Sequence, residues 1–147
     1  MADNVAYMPE MPESPPAIEW LPVLAWGAVI FMMSTSTFSA FNTSTIIEPI
    51  ILWFFPTASV GTLAVVHALI RKSAHFVEYG VLFWLLLRGP MAKRPYTAFA
   101  ICVVYALLDE GHQLFVPGRT ASLYDVALDS TGALFSRFLG LAIAELV

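Results

Sequence analysis

Between Trp20 and Ala40 the chain carries no ionisable side chain. About twenty residues span roughly 30 Å as an α-helix, the thickness of the hydrocarbon core of a bilayer. The rest of the sequence agrees with a lipid setting. Hydrophobic residues make up 59% of the chain and charged residues only 12%, against roughly 25% charged in a typical soluble domain. A soluble fold of this length buries only about two-thirds of its surface, and wide apolar patches would stay in contact with water. In lipid the same side chains can face outward.

The length of 147 residues suits one domain. A net charge of -4 without a basic stripe gives no reason to expect a nucleic-acid partner. Cys102 is the only cysteine, so no disulfide can form within the chain. The N-terminus lacks the basic start of a signal peptide, and the first hydrophobic helix is expected to direct insertion and be retained. Residues 1–19 hold Pro9, Pro12, Pro15 and Pro16 among Asp3, Glu10, Glu13 and Glu19. This composition reads as a disordered tail, followed by a membrane domain over 20–147.

Hydrophobic patterning predicts an all-α fold of about four transmembrane helices. The first runs from Trp20, a residue suited to the membrane interface, to about Ala40. The second runs from about Thr62 to Arg88, the third from about Pro95 to Phe115 and the fourth from about Ser122 to Leu146. Residues 45–56, TIIEPIILWFFP, are too few to cross. Thr45 and Glu48 have capping-box spacing and Pro49 suits a first turn, so a short interfacial or re-entrant helix is expected there. Val116 to Ala121 form a turn around Pro117 and Gly118. Arg88, Lys93 and Arg94 crowd the link between the second and third helices, which places that link and both termini in the cytoplasm. Residues 41–61 and the Arg119 loop then face outside.

Three segments put ionisable groups where lipid does not accept them. Arg71, His75 and Glu78 share one face of the second helix, with Lys72, His75 and Tyr79 on a neighbouring stripe. Asp109, His112 and Gln113 share a face of the third, with Glu110 beside them. Ser122, Asp125, Asp129 and Gly132 continue one stripe of the fourth, and Arg119 lies on the turn between. A charge at mid-bilayer costs about 2.5–3.5 kcal/mol on insertion scales, so these groups are expected to meet inside the bundle. All of them fall in the outer half of the membrane, which predicts a single polar pocket. His67 reads as an interfacial side chain.

These residues resemble the VanZ-like family. The first matching block is K-x-x-H-F-x-x-Y-x-x-L, at Lys72, His75, Phe76, Tyr79 and Leu82. The second is D-E-x-x-Q-x-F followed by R, D and G, at Asp109, Glu110, Gln113, Phe115, Arg119, Asp125 and Gly132. The two blocks cover about residues 70–133. Asp129 departs from the pattern, since the family often carries Asn there. The resemblance implies a small multi-helix membrane protein and, for some members, a link to reduced susceptibility to teicoplanin-type glycopeptide antibiotics. The resemblance does not establish a catalytic activity.

Three functions compete at this stage. In the first, Lys72, Arg119 and Arg71 hold an anionic lipid or cell-envelope headgroup, arginine suiting phosphate through its planar fork. In the second, His75, Asp109, Glu110 and His112 serve a membrane-embedded hydrolase as acids, bases or metal ligands, although H-E-x-x-H spacing is absent. In the third, paired acids and histidines relay protons in a small carrier. The first accounts for most of the residues: membrane lipids as partners, an oligomer compatible with the small bundle, and no cofactor or metal required.

Overall fold

The computed structural model describes residues 16–38 and 40–144. Of the expected N-terminal tail, only Pro16 to Glu19 fall among the described residues. A 3-10 turn at Ala17–Trp20 leads into α1 (Leu21–Ser34), and a second 3-10 turn at Ser36–Phe38 precedes α2 (Ala40–Phe54). Then come α3 (Val60–Arg88), α4 (Pro95–Gln113) and α5 (Leu123–Ala144). The described residues contain no strand, so the expectation of an all-α fold holds.

Local chemistry sets the helix ends. Pro22 sits in the first turn of α1 and Pro95 opens α4, positions where proline's missing N–H costs nothing. The Ser59 side chain caps α3 by accepting the Thr62 N–H at 3.2 Å, and the Ser122 hydroxyl accepts the Tyr124 N–H at 3.1 Å where α5 begins.

Two boundaries differ from expectation. The first helix ends at Ser34, not near Ala40. Thr35 turns extended, and its hydroxyl bonds the Met32 carbonyl at 2.7 Å. Serine and threonine offer the backbone such local alternatives to the helix, and the run from Ser34 to Thr37 uses one of them. The short helix begins at Ala40, five residues before Thr45, so Thr45 and Glu48 do not form a capping box at its start. Pro49 lies inside it, removing one helical hydrogen bond. At 15 residues, α2 is only about 22 Å long.

By length and composition, one stretch among the described residues is long and apolar enough to cross a membrane: Ala17–Ser34. The helices α3, α4 and α5 have 29, 19 and 22 residues, but each carries ionisable groups. The carboxylates among those groups are turned inward, while Arg88 at the end of α3 is exposed. His75, Glu78, Asp109, Glu110, Gln113, Asp125 and Asp129 are all buried, while Trp53, Phe54, Phe55, Val104, Leu108, Phe135 and Phe138 are exposed. Polar groups thus occupy the interior of one half of the bundle, and apolar side chains cover much of its outside.

Helix α3 forms the axis and packs most extensively on α5. The two backbones meet at Gly80 and Gly132. A Cβ on Gly132 would run into the Phe76 carbonyl, and one on Gly80 would stand 3.3 Å from the Gly132 carbonyl oxygen. Small residues permit this close approach, and it brings the polar stripe of α3 against that of α5. Helix α1 is tied on by Trp26, whose Nε1–H donates to the Glu78 carbonyl at 2.9 Å, and by the Tyr105 hydroxyl, which donates to the Gly27 carbonyl at 2.7 Å. A Cβ on Gly89, past the end of α3, would stand 3.1 Å from the Glu19 carbonyl oxygen, so α1 starts where α3 ends. The apolar half of the core, with Phe83, Leu86, Ala98 and Cys102 fully buried, lies toward that end.

Gly132→Ala is expected to destabilise the bundle by about 1–3 kcal/mol through overpacking. Thermal unfolding of the purified variant in detergent, compared with the parent chain, measures the effect. An unchanged melting curve would show that the α3–α5 contact relaxes without cost.

Candidate functional site: a buried polar cluster beside a cavity

The site begins with the register of α3 against α5. With Gly132 under Phe76, Lys72 reaches Asp125 and His75 reaches Asp129, one helical turn further along. Lys72 Nζ donates to Asp125 Oδ1, and Arg71 Nη2 stands 3.6 Å from Asp125 Oδ2. One carboxylate therefore serves two cations. Asp125 also lies in the first turn of α5, where the helix dipole favours an anion. Lys72 is further held over the Tyr124 ring, 4.7 Å from its centre.

Deeper in, His75 Nδ1 faces Asp129 Oδ1 at 3.5 Å. Asp109 on α4 accepts from Gln113 Nε2 at 3.0 Å, one turn along the same helix. Glu110 spends one oxygen on the chain's return path: its Oε2 accepts the Ser122 N–H at 2.6 Å. Several buried polar atoms have no hydrogen-bond partner among the described residues. They include His75 Nδ1, Glu110 Oε1, both carboxylate oxygens of Asp129 and the Tyr79 hydroxyl. Such atoms are uncommon in folded proteins and costly to leave unsatisfied.

Arg119 is delivered by a tight turn. Its N–H donates to the Val116 carbonyl at 3.1 Å across Pro117 and Gly118, and Gly118 has φ 79. Proline followed by glycine at positive φ is the signature of a type II turn. The guanidinium then reaches α1, donating through Nη2 to the Met33 carbonyl and, at 3.3 Å, to the Thr35 carbonyl. Among the described residues it forms no ion pair with Asp109 or Glu110. Neutral carbonyls hold its position and leave its charge uncompensated by direct contact.

Beside the cluster, between α1, α2 and α3, lies a cavity of about 580 Å³. Arg71, Lys72, His75, Glu78 and Arg119 are among its lining residues, with Ser34. Ile30, Ile47, Leu63 and Ala64 are among its apolar lining residues, and Glu48 and His67 also border it, 4.0 Å from one another. The volume falls in the ordinary range for small-molecule sites. Its walls suit a molecule with a charged end and an apolar remainder.

Each residue expected at the site can now be placed. Lys72, His75, Glu78 and Arg119 border the cavity. Asp125, Asp129, Asp109, Glu110 and Gln113 are buried around them, and Tyr79 is fully buried. His112 instead stacks near Phe31, with ring centres 4.8 Å apart. His67, expected at the interface, borders the cavity with Ser34, and the carbonyls of Met33 and Thr35 are partners that the sequence does not announce. The run from Ser34 to Thr37 was the available signal for where α1 ends and its carbonyls come free. Main-chain acceptors leave no trace of their own in a sequence.

The family model described as VanZ/LLP1 matches residues 20–144, so the match takes in α1 and every residue of the cluster. No curated protein matches the chain, and no solved structure does.

The Lys72–Asp125 pair is part-buried, so neutralising the acid strands two cations. Asp125→Asn is expected to cost about 1–3 kcal/mol, below the 3–5 kcal/mol of a fully buried pair because both bases retain some exposure. A double-mutant cycle with Lys72→Met, read by thermal unfolding, checks it. Additive single effects would mean that the two groups do not act on each other.

Proposed function

Because the chain belongs to the VanZ/LLP1 family, we propose that it is a multi-pass membrane protein that holds an anionic, lipid-linked headgroup in the cavity beside its polar cluster. The single observation carrying this reading is that Arg119, Arg71 and Lys72 all line one largely apolar cavity. Arg71 and Lys72 share the one carboxylate of Asp125, and Arg119 is fixed by carbonyl oxygens. Glu78 and Glu48 also border the cavity, but Arg119 Nε has no hydrogen-bond partner among the described residues, so a cationic donor remains for a ligand. A phosphate matches the arginine fork, and acyl or prenyl chains match the apolar walls.

In this reading α1, α3, α4 and α5 cross the bilayer. The buried acids and exposed aromatic and aliphatic side chains support that arrangement, since the ionisable groups of α3, α4 and α5 are largely turned away from lipid. Helix α2, too short to span, lies along the outer interface and forms one wall of the cavity. Arg88, Lys93 and Arg94 at the α3–α4 link face the cytoplasm, as do both termini, and the Arg119 turn faces outward. A cell-envelope carrier lipid presented at that face is the class of ligand that would connect the cavity to glycopeptide susceptibility.

The test is retention of anionic lipid by the chain purified in mild detergent, read by native mass spectrometry. The parent chain is expected to keep a phosphate-bearing lipid. Arg119→Ala should lose it at least tenfold while keeping its helicity and melting temperature. Expression in a teicoplanin-susceptible bacterium should raise the inhibitory concentration for the parent chain and not for the variant. Equal lipid retention by a well-folded Arg119→Ala protein would overturn the reading.

A further inference from the structure

Behind the cavity wall, three side chains from two helices converge. A ring nitrogen of His75, a carboxylate oxygen of Asp109 and one of Glu110 all lie within 4.8 Å of one another, and all three residues are buried. Two ligands on opposite sides of one ion, each at about 2.0–2.2 Å, stand up to about 4.4 Å apart. Small side-chain rotations would therefore close the set around a cation. The lining of the lipid cavity takes in His75 but neither Asp109 nor Glu110.

We propose that His75, Asp109 and Glu110 form a binding site for one divalent first-row transition ion, such as Mn²⁺ or Zn²⁺, oriented by Asp129. Unsatisfied buried atoms supply the second, independent line of argument. Glu110 is 4% exposed, yet its Oε1 has no hydrogen-bond partner among the described residues while its Oε2 is committed to Ser122. Asp129 is fully buried with neither oxygen hydrogen-bonded. A cation between Asp109 and Glu110 would satisfy the stranded Glu110 oxygen and offset the repulsion of two neighbouring carboxylates.

Asp129 occupies the supporting position. Its Oδ1 faces His75 Nδ1 at 3.5 Å, placed to accept that N–H as carboxylates do behind metal-bound histidines. Nε2 is then left for the ion. One imidazole and two carboxylates suit an ion of intermediate hardness. Three protein ligands leave a coordination position for water or a phosphate oxygen. The inference does not rest on the lipid reading: Arg119 contributes nothing to the ligand set, so either site can fail while the other stands.

The experiment titrates Mn²⁺ into the full chain, stripped with chelator and held in mild detergent, and follows free Mn²⁺ by electron paramagnetic resonance. One ion per chain is expected. Glu110→Gln, which keeps an acceptor for the Ser122 N–H, should weaken binding at least tenfold. Asp129→Asn should weaken it about 10–100-fold, whereas Glu19→Gln, beside Gly89 at the other end of the bundle, should leave it unchanged. Pulsed measurements on the unmutated protein should show ¹⁴N coupling from the imidazole, a readout that needs no variant to fold. Absence of stoichiometric Mn²⁺, lack of nitrogen coupling, or full affinity in folded Glu110→Gln would each overturn the site.

Discussion

Everything in this molecule depends on charged groups finding one another across α3 and α5, with the acids of α4 held beside them by neutral donors. An ion isolated in an apolar interior is among the costliest features a fold can carry, and here Asp125, Asp129, Asp109, Glu110, His75 and Glu78 are all buried. The solution is geometric. Two glycines let α3 and α5 approach until backbone meets backbone. At that distance the i, i+3, i+7 stripes of the two helices interlock, so Asp125 meets Lys72 and Arg71 while Asp129 meets His75. A larger residue at Gly132 would press on the Phe76 carbonyl and strain the pairing, whereas a Cβ at Gly80 would stand 3.3 Å from the Gly132 carbonyl oxygen and ask for a smaller adjustment.

The two ends of the bundle show how one helix pair can serve two purposes. Toward the α3–α4 link, Phe83, Leu86, Ala98 and Cys102 pack as an ordinary apolar core. Toward the α4–α5 turn the same helices present carboxylates, an imidazole and cations. The apolar end supplies stability through burial. That leaves the polar end able to keep unsatisfied atoms such as Glu110 Oε1 and the Tyr79 hydroxyl, which a marginally stable fold tolerates only when something else holds it together.

Much of this was legible in the sequence, for reasons particular residues make clear. Helical spacing alone put Lys72 and His75 on one face and Asp125 and Asp129 on another, and opposite charge at the same depth required the faces to meet. The Pro117–Gly118 turn was equally readable, since proline followed by glycine specifies its own backbone. The end of α1 was not, because serine and threonine residues continue a helix or stop it depending on where their hydroxyls bond. The start of α2 was misread because Thr45, Glu48 and Pro49 match an N-terminal pattern that the preceding residues override by being helical too. A polar pocket was expected from the stripes, but not the part of its wall that α2 supplies, which depends on how far α2 stands from α3.

Arg119 illustrates a less obvious outcome of this architecture. Its anchors are the carbonyl oxygens of Met33 and Thr35, and every amino acid brings a carbonyl. Positions 33 and 35 can therefore drift during evolution without releasing the arginine, provided α1 still ends where it does. The partner of this arginine is a place where a helix stops, which no pair of co-varying columns would reveal.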